Sequence, residues 1–380
     1  MATLDNFAKK AYYVLRPIIP IRTRWYLQKR VAGRVNGFDS QPTWPIPAEF
    51  APVVDSLSWP GKKKTALVLT HDVDNAFGFS CIDEVCAVER RLGLRSSWNI
   101  VPSLYPLNDA VFGRLKDAGM EVGVHDWNHD GCLFSSKTIF DQRIGKINQT
   151  IEAWGAKGFR AGMVFHHDEW MQELACLYDS SYYDTDPYQP MGGGCGHIWP
   201  FMLGGLVELP YTMPQDHVLF VAEAKLKIPD SIESHDSDMQ AILNWIKQFI
   251  DKHDTEMPCA IKIGYLSGIE IWKMKAHWLC ENNGLVLMIT HPDYLCHRSL
   301  FSNLKSGGEN YCARMGWLGT NDYDVQAVRD CGIIKEIWHG SLLEQYAAFL
   351  NWFKREFQGQ YWHCLPMEMA NWYRSSQQSK

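Results

Sequence analysis

Two aspartates and two histidines of this 380-residue chain have the types and spacing that metal-assisted hydrolysis needs. Asp72 and Asp74 directly follow an apolar run that begins at residue 65, and His125 and His129 form an HxxxH pair after another apolar stretch. Two imidazoles and one carboxylate are a common catalytic ligand set, because they leave positions on a divalent metal open for water and substrate. Such a metal lowers the pKa of its water toward neutrality, which creates a nucleophile.

The histidine pair and the aspartate pair can each be explained with or without a metal. If the segment is a helical turn, His125 and His129 share a face and both can bind one ion. Among 14 histidines, however, such a pair also arises by chance, and many histidines are satisfied core or surface residues. An Asx turn or a helix N-cap explains either Asp72 or Asp74. It does not explain both, because neighbouring carboxylates repel unless a cation or an arginine balances them.

The elements that must position these residues alternate along the chain. Predicted strands cover 65–74, 96–101, 121–126, 158–163, the start of 178–186, 207–212 and 285–291. Predicted helices cover 84–93, 108–118, 136–154, 168–176, 237–250, 268–281, 341–357 and 366–374. Repeated strand–helix units favour a parallel sheet or an α/β barrel. Because the carboxyl ends of barrel strands line the active site, Arg160 and His291 are expected beside the aspartates and histidines at one rim.

Composition excludes several classes of protein. The chain is 46% hydrophobic and 21% charged, which is typical of a globular protein with a large core. Its formal net charge of −6 argues against a nucleic-acid partner. The 11 cysteines form no CxxC pair, which predicts reduced thiols in a cytoplasmic protein. No signal peptide is apparent, and no apolar run is long enough to predict a membrane span.

We predict three segments: a basic arm and linker at 1–60, a barrel at 61–300, and a C-terminal helical extension at 301–380 that packs on the barrel. Residues 1–48 carry eight lysines and arginines against two acidic residues. A basic arm that carries aromatic residues suits peripheral contact with the anionic inner face of the cell membrane. A solvated helix packed on the domain is the alternative. The sequence leaves the oligomeric state open.

Four motifs in a fixed order resemble the polysaccharide deacetylase (NodB-homology) family, carbohydrate esterase family 4. They are THDVD at 70–74, HDWNH at 125–129, RAG at 160–162 and LMITH at 287–291, within a match that covers 63–295. The stretches YDSSYYDTDPY, VELPYTMPQDH and THPDY are similar to a bacterial branch associated with cell-surface polysaccharide synthesis. The resemblance implies an irregular (β/α)7-type barrel of the NodB-homology kind, here with N- and C-terminal extensions.

The resemblance also implies a role for each matched residue. Asp72 would be the general base, oriented and ionised by Arg160. His291 would be the general acid that protonates the leaving amine. The implied metal ligands are Asp74, His125 and His129. They would hold one divalent transition metal, zinc first, with cobalt, manganese and nickel as alternatives. Water activated by the metal would attack the N-acetyl carbonyl of an amino sugar, in a bacterial cell-surface glycan or its lipid-linked precursor.

Three parts of the motifs depart from the family's pattern. Val73 stands where the family has its second acid, so that Asp74, one residue later, takes the metal. Asp126 and bulky Trp127 replace a small Ser or Thr, and Gly162 replaces a proline. We expect these changes to affect the fit of the substrate more than the binding of the metal.

Three weaker substrate-binding candidates lie between the third and last motifs. Asp186 is placed in the family's fourth motif, where it would support His291, although a turn before Pro187 explains it equally well. Glu208 is a candidate rim carboxylate and Tyr211 a candidate sugar-stacking ring.

Two other functions stay open at this point. The D-x-D form of the first motif also suits a hydrolase of another C–N amide, such as an N-formyl sugar or a cyclic imide or ureide. A non-catalytic glycan-binding relative is the third hypothesis, but a binding module does not need an acid, a base and a metal set together.

Overall fold

A curled, mostly parallel sheet forms the centre of the protein in the computed structural model. The structure describes residues 44–51, 58–186, 189, 194–220, 224–225, 265–266, 269–296 and 342–378. The strands of the central sheet are β1 (Thr65–Val73), β2 (Ser96–Ile100), β3 (Glu121–His125), β4 (Gly158–Arg160), β5 (Tyr178–Asp179), β6 (Phe201–Leu203), β7 (Leu206–Glu208), β10 (Leu285–Thr290) and β11 (Tyr361–His363). A separate pair consists of β8 (Ala224–Lys225) and β9 (Tyr265–Leu266).

The helices cover the outside of this sheet. They are α1 (Ala76–Ser80), α2 (Ile82–Arg91), α3 (Asp109–Asp117), α4 (Lys137–Trp154), α5 (Ile269–Glu281), α6 (Pro292–Leu295), α7 (Leu342–Glu356) and α8 (Pro366–Gln378). Among the described residues, no helix combines the length and the hydropathy that crossing a membrane requires.

Strand β1 is the centre of the sheet. The order is β10-β1-β2-β3-β4-β5-β7-β6, and all nine residues of β1 are buried. An apolar run suits this place, because a strand in a parallel sheet is covered on both faces. β10 pairs with one edge of β1; on the other edge β11 pairs with 65–67 and β2 with 69–73. The C-terminal strand β11 thus fills the part of that edge that β2 leaves open.

The segment after β7 joins the two ends of the curled sheet. The backbone N–H groups of Thr212 and Met213 donate to the carbonyl of Leu287 in β10, at 3.3 and 3.2 Å. The predicted α/β barrel is therefore confirmed, as an irregular barrel closed by an extended segment. This closure brings the carboxyl ends of β1, β3, β4 and β10 to one rim.

Helix α4 is the longest described helix and packs against β3 and β4. Its N-terminus is capped by Ser136, whose hydroxyl accepts from the N–H of Ile139 at 3.3 Å, and its end is marked by Gly155 in the left-handed region (φ 65°). Phe140 and Ile147 on its inner face are fully buried, in the same apolar cluster as residues of β3 and β4. Both ends and one face of α4 are therefore fixed.

A buried polar contact attaches α7 to the barrel. The Tyr346 hydroxyl donates to Glu89 Oε1 at 2.7 Å, and the same oxygen faces Nε2 of His71 in β1 at 2.8 Å. Ser96 in β2 donates to the other oxygen of Glu89 at 2.6 Å. The Glu89 carboxylate is fully buried and therefore depends on these partners.

Three predicted elements are clearly shorter in the structure, and one of them, the strand at 207–212, ends at Glu208. The strand at 158–163 ends at Arg160, and a turn with Met163 at φ 58° follows. The predicted helix at 168–176 is a single 3-10 turn, Trp170–Glu173. The Gln172 side chain there donates to the carbonyl of Leu203 and accepts from the N–H of Gly205, so contacts with the β6–β7 hairpin decide its conformation. Residues 1–43, the predicted helix at 237–250 and Ser341, the first residue of the predicted helix at 341–357, lie outside the described residues.

Tyr346→Phe should lower the free energy of unfolding by about 1.5–3 kcal/mol, because it removes a donor from a buried carboxylate. Chemical denaturation followed by circular dichroism measures this. An unchanged free energy of unfolding would show that the Tyr346–Glu89 contact does not stabilise the attachment of α7.

Candidate metal centre and active site

Three side chains converge at the carboxyl rim of the barrel. Nε2 of His125, at the end of β3, lies 3.3 Å from Oδ1 of Asp74, and Nε2 of His129 lies 3.4 Å from the same oxygen. Asp74 follows β1, and one ligand atom from each of the three residues lies within 4.8 Å of the others. The edges of a tetrahedral zinc site with bonds of about 2.0–2.1 Å are roughly 3.3–3.4 Å long. The donor set therefore fits one small divalent ion.

A backbone contact fixes the orientation of the His125 ring. Its Nδ1 lies 2.9 Å from the carbonyl oxygen of Arg160, so Nδ1 carries the proton and donates it there. Nε2 then faces Asp74 and is the nitrogen that would bind a metal. Metal-bound histidines commonly show this arrangement, in which the second nitrogen donates to a carbonyl or carboxylate.

The histidine pair does not lie on a helix, which corrects the expected helical turn. Asp126 and His129 have φ values of 56° and 52°, in the left-handed region that a side chain seldom adopts. The segment is an irregular loop, and its shape lets His129 face Asp74 without the i, i+4 geometry of a helix.

Asp72 is bound on one side only. Its Oδ1 accepts from Nη1 of Arg160 at 2.7 Å and from the Asn99 amide at 2.9 Å. Its Oδ2 lies 3.8 Å from Nε2 of His125, on the side of the metal ligands. Burial opposes ionisation of Asp72, but the charges of Arg160 and His125 outweigh it and hold the pKa below its usual value. Asp72 is therefore a carboxylate with one oxygen anchored and one facing the site.

Arg160 is fully buried and satisfied by four acceptors. Besides Asp72, its guanidinium donates to the Thr70 hydroxyl at 2.9 Å, and to the carbonyl and the hydroxyl of Ser180, both at 2.7 Å. Because these acceptors come from β1 and from the end of β5, the side chain spans the inside of the barrel.

Asp216 forms hydrogen bonds with both the ring and the backbone of His291. Its Nδ1 lies 2.7 Å from Oδ1 of Asp216, and its backbone N–H donates to the other carboxylate oxygen at 2.6 Å. Burial lowers the pKa of His291, but the charge of Asp216 outweighs it, with smaller contributions from Asp74 and Asp72, and raises the pKa to about 10. The ring is a cation at neutral pH, with Nδ1–H engaged and Nε2–H available as a proton donor.

The three weaker candidates are buried in the barrel wall. Asp186 accepts from the Tyr211 hydroxyl at 3.0 Å and from Gln189 at 2.9 Å, and it does not take the predicted place beside His291, which Asp216 occupies. Glu208 and Tyr211 are at most 1% exposed, which leaves no surface for a rim carboxylate or a stacking ring. Burial and a neighbouring aspartate raise the pKa of Glu208 well above its ordinary value.

Two residues of the site are missing from the sequence analysis. Asn99 had a signal: it is a polar residue inside a buried strand, and its side chain is directed at Asp72. Asp216 lies in the stretch VELPYTMPQDH, but no local pattern linked it to His291, because it begins a 3-10 turn 75 residues earlier and meets His291 only through closure of the barrel.

Two departures from the family's motifs touch each other. A Cβ atom at Gly162 would lie 2.6 Å from Oδ2 of Asp126 and 3.1 Å from Cδ2 of His129. Glycine at this position therefore makes room for the aspartate that stands where the family has Ser or Thr.

The chain resembles known proteins in structure and not in overall sequence. No protein-family model matches the chain, and no curated protein matches it either. A candidate polysaccharide deacetylase from Mycobacterium smegmatis superposes with a TM-score of 0.51 at 13% identity, over 87% of this chain and 96% of that one. This chain has the polysaccharide deacetylase fold. The resemblance seen in the four motifs is confirmed to that extent.

Two further structures with this fold match less well. A candidate polysaccharide deacetylase from Bordetella bronchiseptica, described as involved in O-antigen biosynthesis, gives a TM-score of 0.36 at 14% identity, over 79% of this chain and 97% of that one. A family 4 carbohydrate esterase from Streptomyces lividans gives 0.26 at 21% identity, over 31% of this chain. The chain spans 62% of the length of that esterase.

In this deacetylase-fold protein, Asp216→Asn should lower the pKa of His291 by removing its main countercharge. A histidine whose pKa is raised from 6.5 to about 10 stabilises the fold fully below pH 6.5, and this contribution is lost as the pH rises through 10. In metal-free protein, unfolding free energies measured between pH 6 and 10 should fall more steeply for wild type than for the variant. Parallel curves would contradict the assigned contact.

Gly162→Ala should cost about 1–3 kcal/mol of stability, because the added methyl group collides with the Asp126 carboxylate. Asp126→Ser/Gly162→Ala should recover about half of that cost or more, since serine is shorter. A double-mutant cycle of unfolding free energies measures the coupling. Strictly additive effects would show that the two positions are independent.

Proposed function

We propose that this protein is a metal-dependent hydrolase that removes an N-acetyl group from an amino sugar of a bacterial cell-surface glycan or its lipid-linked precursor. One observation carries the proposal: an ionised carboxylate, Asp72, and a protonated imidazole, His291, both lie near a three-ligand metal set at one rim. General acid–base catalysis needs two groups in opposite protonation states, and their environments separate the pKa values of these two.

The proposed metal ligands are Asp74, His125 and His129. A divalent transition metal at this site, with zinc as our first choice and cobalt, manganese and nickel as alternatives, would lower the pKa of water and polarise the acetamide carbonyl. Three protein ligands would leave a tetrahedral ion one further position, which is open to water or substrate.

The proton transfers follow from which atoms are already engaged. Arg160 and Asn99 occupy Oδ1 of Asp72, so Oδ2 is the oxygen that takes a proton from the attacking water. Asp216 occupies Nδ1 of His291, so Nε2–H is the proton that the leaving amine receives. Asp72 then starts unprotonated and His291 starts protonated, as amide hydrolysis requires.

The substrate assignment is supported by the fold and by the order of the four motifs. The proposed setting is the cytoplasm, with peripheral contact of residues 1–48 with the inner face of the membrane when the glycan is lipid-linked. Most of that arm lies outside the described residues, and its membrane contact stays a prediction.

Purified protein loaded with Zn²⁺ or Co²⁺ should release acetate from N-acetylated amino-sugar oligomers. Asp72→Asn should reduce kcat/KM by about 10²–10⁴-fold, because it removes the base. Asp83→Asn, an exposed aspartate on α2, is the matched control and should leave turnover unchanged. N-formyl sugars and cyclic ureides belong in the same panel. Turnover of those substrates alone would replace the N-acetyl assignment, and equal activity of Asp72→Asn and wild type would overturn the mechanism.

A further inference from the structure

The loop that presents His129 has a strained backbone. We call residues 126–130 the metal loop. Two of its non-glycine residues, Asp126 and His129, have positive φ values of 56° and 52°. Such conformations are energetically unfavourable for residues with a side chain and persist only where surrounding contacts hold them. Something outside the loop must therefore keep His129 in the conformation that directs its Nε2 at Asp74.

Arg143 of helix α4 grips the metal loop on both sides of His129. Its Nη1 donates to the Asn128 amide oxygen at 3.0 Å and to Oδ1 of Asp130 at 2.7 Å, and its Nη2 donates to Oδ2 of Asp130 at 2.7 Å. This is a bidentate fork with a third bond. Such forks fix geometry as well as adding energy, because the guanidinium is planar and rigid.

The fork is more protected than an ordinary surface ion pair. The Arg143 side chain is 17% exposed and that of Asp130 36% exposed. Asn128 and Asp130 are the immediate sequence neighbours of His129, so holding both fixes the backbone on either side of it. The atoms that the fork bonds, the Asn128 amide oxygen and the Asp130 carboxylate, belong to residues that are not among the three proposed ligands.

Helix α4 makes a second contact with the metal loop. Besides Arg143, it places Lys146 over the ring of Trp127, with Nζ 5.4 Å from the ring centroid. In the loop after β2, the Ser103 hydroxyl donates to the Trp127 carbonyl at 2.7 Å. The metal loop is thus held between α4 and the loop after β2. The Cys132 N–H and the Asn128 amide also donate to the Asp130 carboxylate, at 2.9 and 3.3 Å, but these are contacts between near neighbours in the sequence, whereas the Arg143 fork ties Asn128 and Asp130 to α4.

We propose that Arg143 is a positioning residue of the metal centre: its fork on Asn128 and Asp130 holds His129 in the left-handed conformation that directs Nε2 at Asp74. Arg143 belongs to none of the four sequence motifs. The inference rests on the proposed metal site, and it says that the affinity of this site depends on a residue that is not a ligand.

The chain offers a matched control for this role. Arg114 on α3 makes a bidentate pair with Asp83, at 3.0 and 2.8 Å, but the two side chains are 51% and 60% exposed and support no ligand. Arg143→Ala and Arg114→Ala thus each remove one arginine fork. Arg143→Lys keeps the charge but not the fork, and Asp130→Asn removes the charge of the acceptor at constant volume.

The experiment measures Co²⁺ affinity by competition with a chelator, together with the visible absorption spectrum of the bound Co²⁺ and the Tm of each protein. Arg143→Ala should bind Co²⁺ about 10–100-fold more weakly than wild type, the usual effect of losing a supporting contact, and should change the intensity of the cobalt bands. Arg143→Lys and Asp130→Asn should fall between. Arg114→Ala should match wild type in affinity and spectrum, even if its Tm falls as far as that of Arg143→Ala.

Three results would overturn the inference, and they are distinguishable. If wild type binds Co²⁺ and Arg143→Ala binds it equally well with the same spectrum, Arg143 does not position His129, whereas the metal site stands. If wild type binds no Co²⁺, the proposed metal centre fails and the role of Arg143 fails with it. An equal loss of affinity in Arg114→Ala would also overturn it, because the effect would then be general destabilisation.

Discussion

The arrangement of the site depends on one buried cation. Arg160 has no exposed surface, so its charge must be neutralised and its donors satisfied within the barrel. The Asp72 carboxylate neutralises the Arg160 guanidinium and is held in place by it. The backbone carbonyl of Arg160 accepts a hydrogen bond from Nδ1 of His125. A single residue therefore keeps the base ionised and selects the histidine nitrogen that faces the metal position. Leaving Asp72 buried without this partner would cost about 3–5 kcal/mol, so stability and chemistry share the same contact.

The sequence predicts those parts of the fold in which local pattern and tertiary position agree. The apolar runs of β1 and β10 end in Asp72 and His291, and both strands are where the pattern places them, because a strand buried on both faces has little choice of residues. The turn at 170–173 was predicted as a helix, since its contacts with β6 and β7 are not visible in a local window. The same reason hides Asp216, which reaches His291 only when the barrel closes.

The metal loop shows how departures from a motif can be understood physically. Asp126, Trp127 and Gly162 each differ from the family's pattern, and the sequence alone gives them no common cause. In the structure, Gly162 leaves the space that the Asp126 carboxylate enters, and Trp127 lies under Lys146 of α4. The changes therefore belong to one alternative packing of the loop around His129, which leaves the convergence of the three ligand atoms intact.

We propose above all that Asp74, His125 and His129 hold one divalent transition metal. Elemental analysis of the purified protein, and of His125→Ala/His129→Ala, tests it most directly. We expect about one transition-metal ion per chain in wild type, lost in the double variant while the fold is retained. Absence of metal from wild type, even after reconstitution with Zn²⁺, Co²⁺, Mn²⁺ or Ni²⁺, would contradict the account and favour a glycan-binding protein on a deacetylase fold.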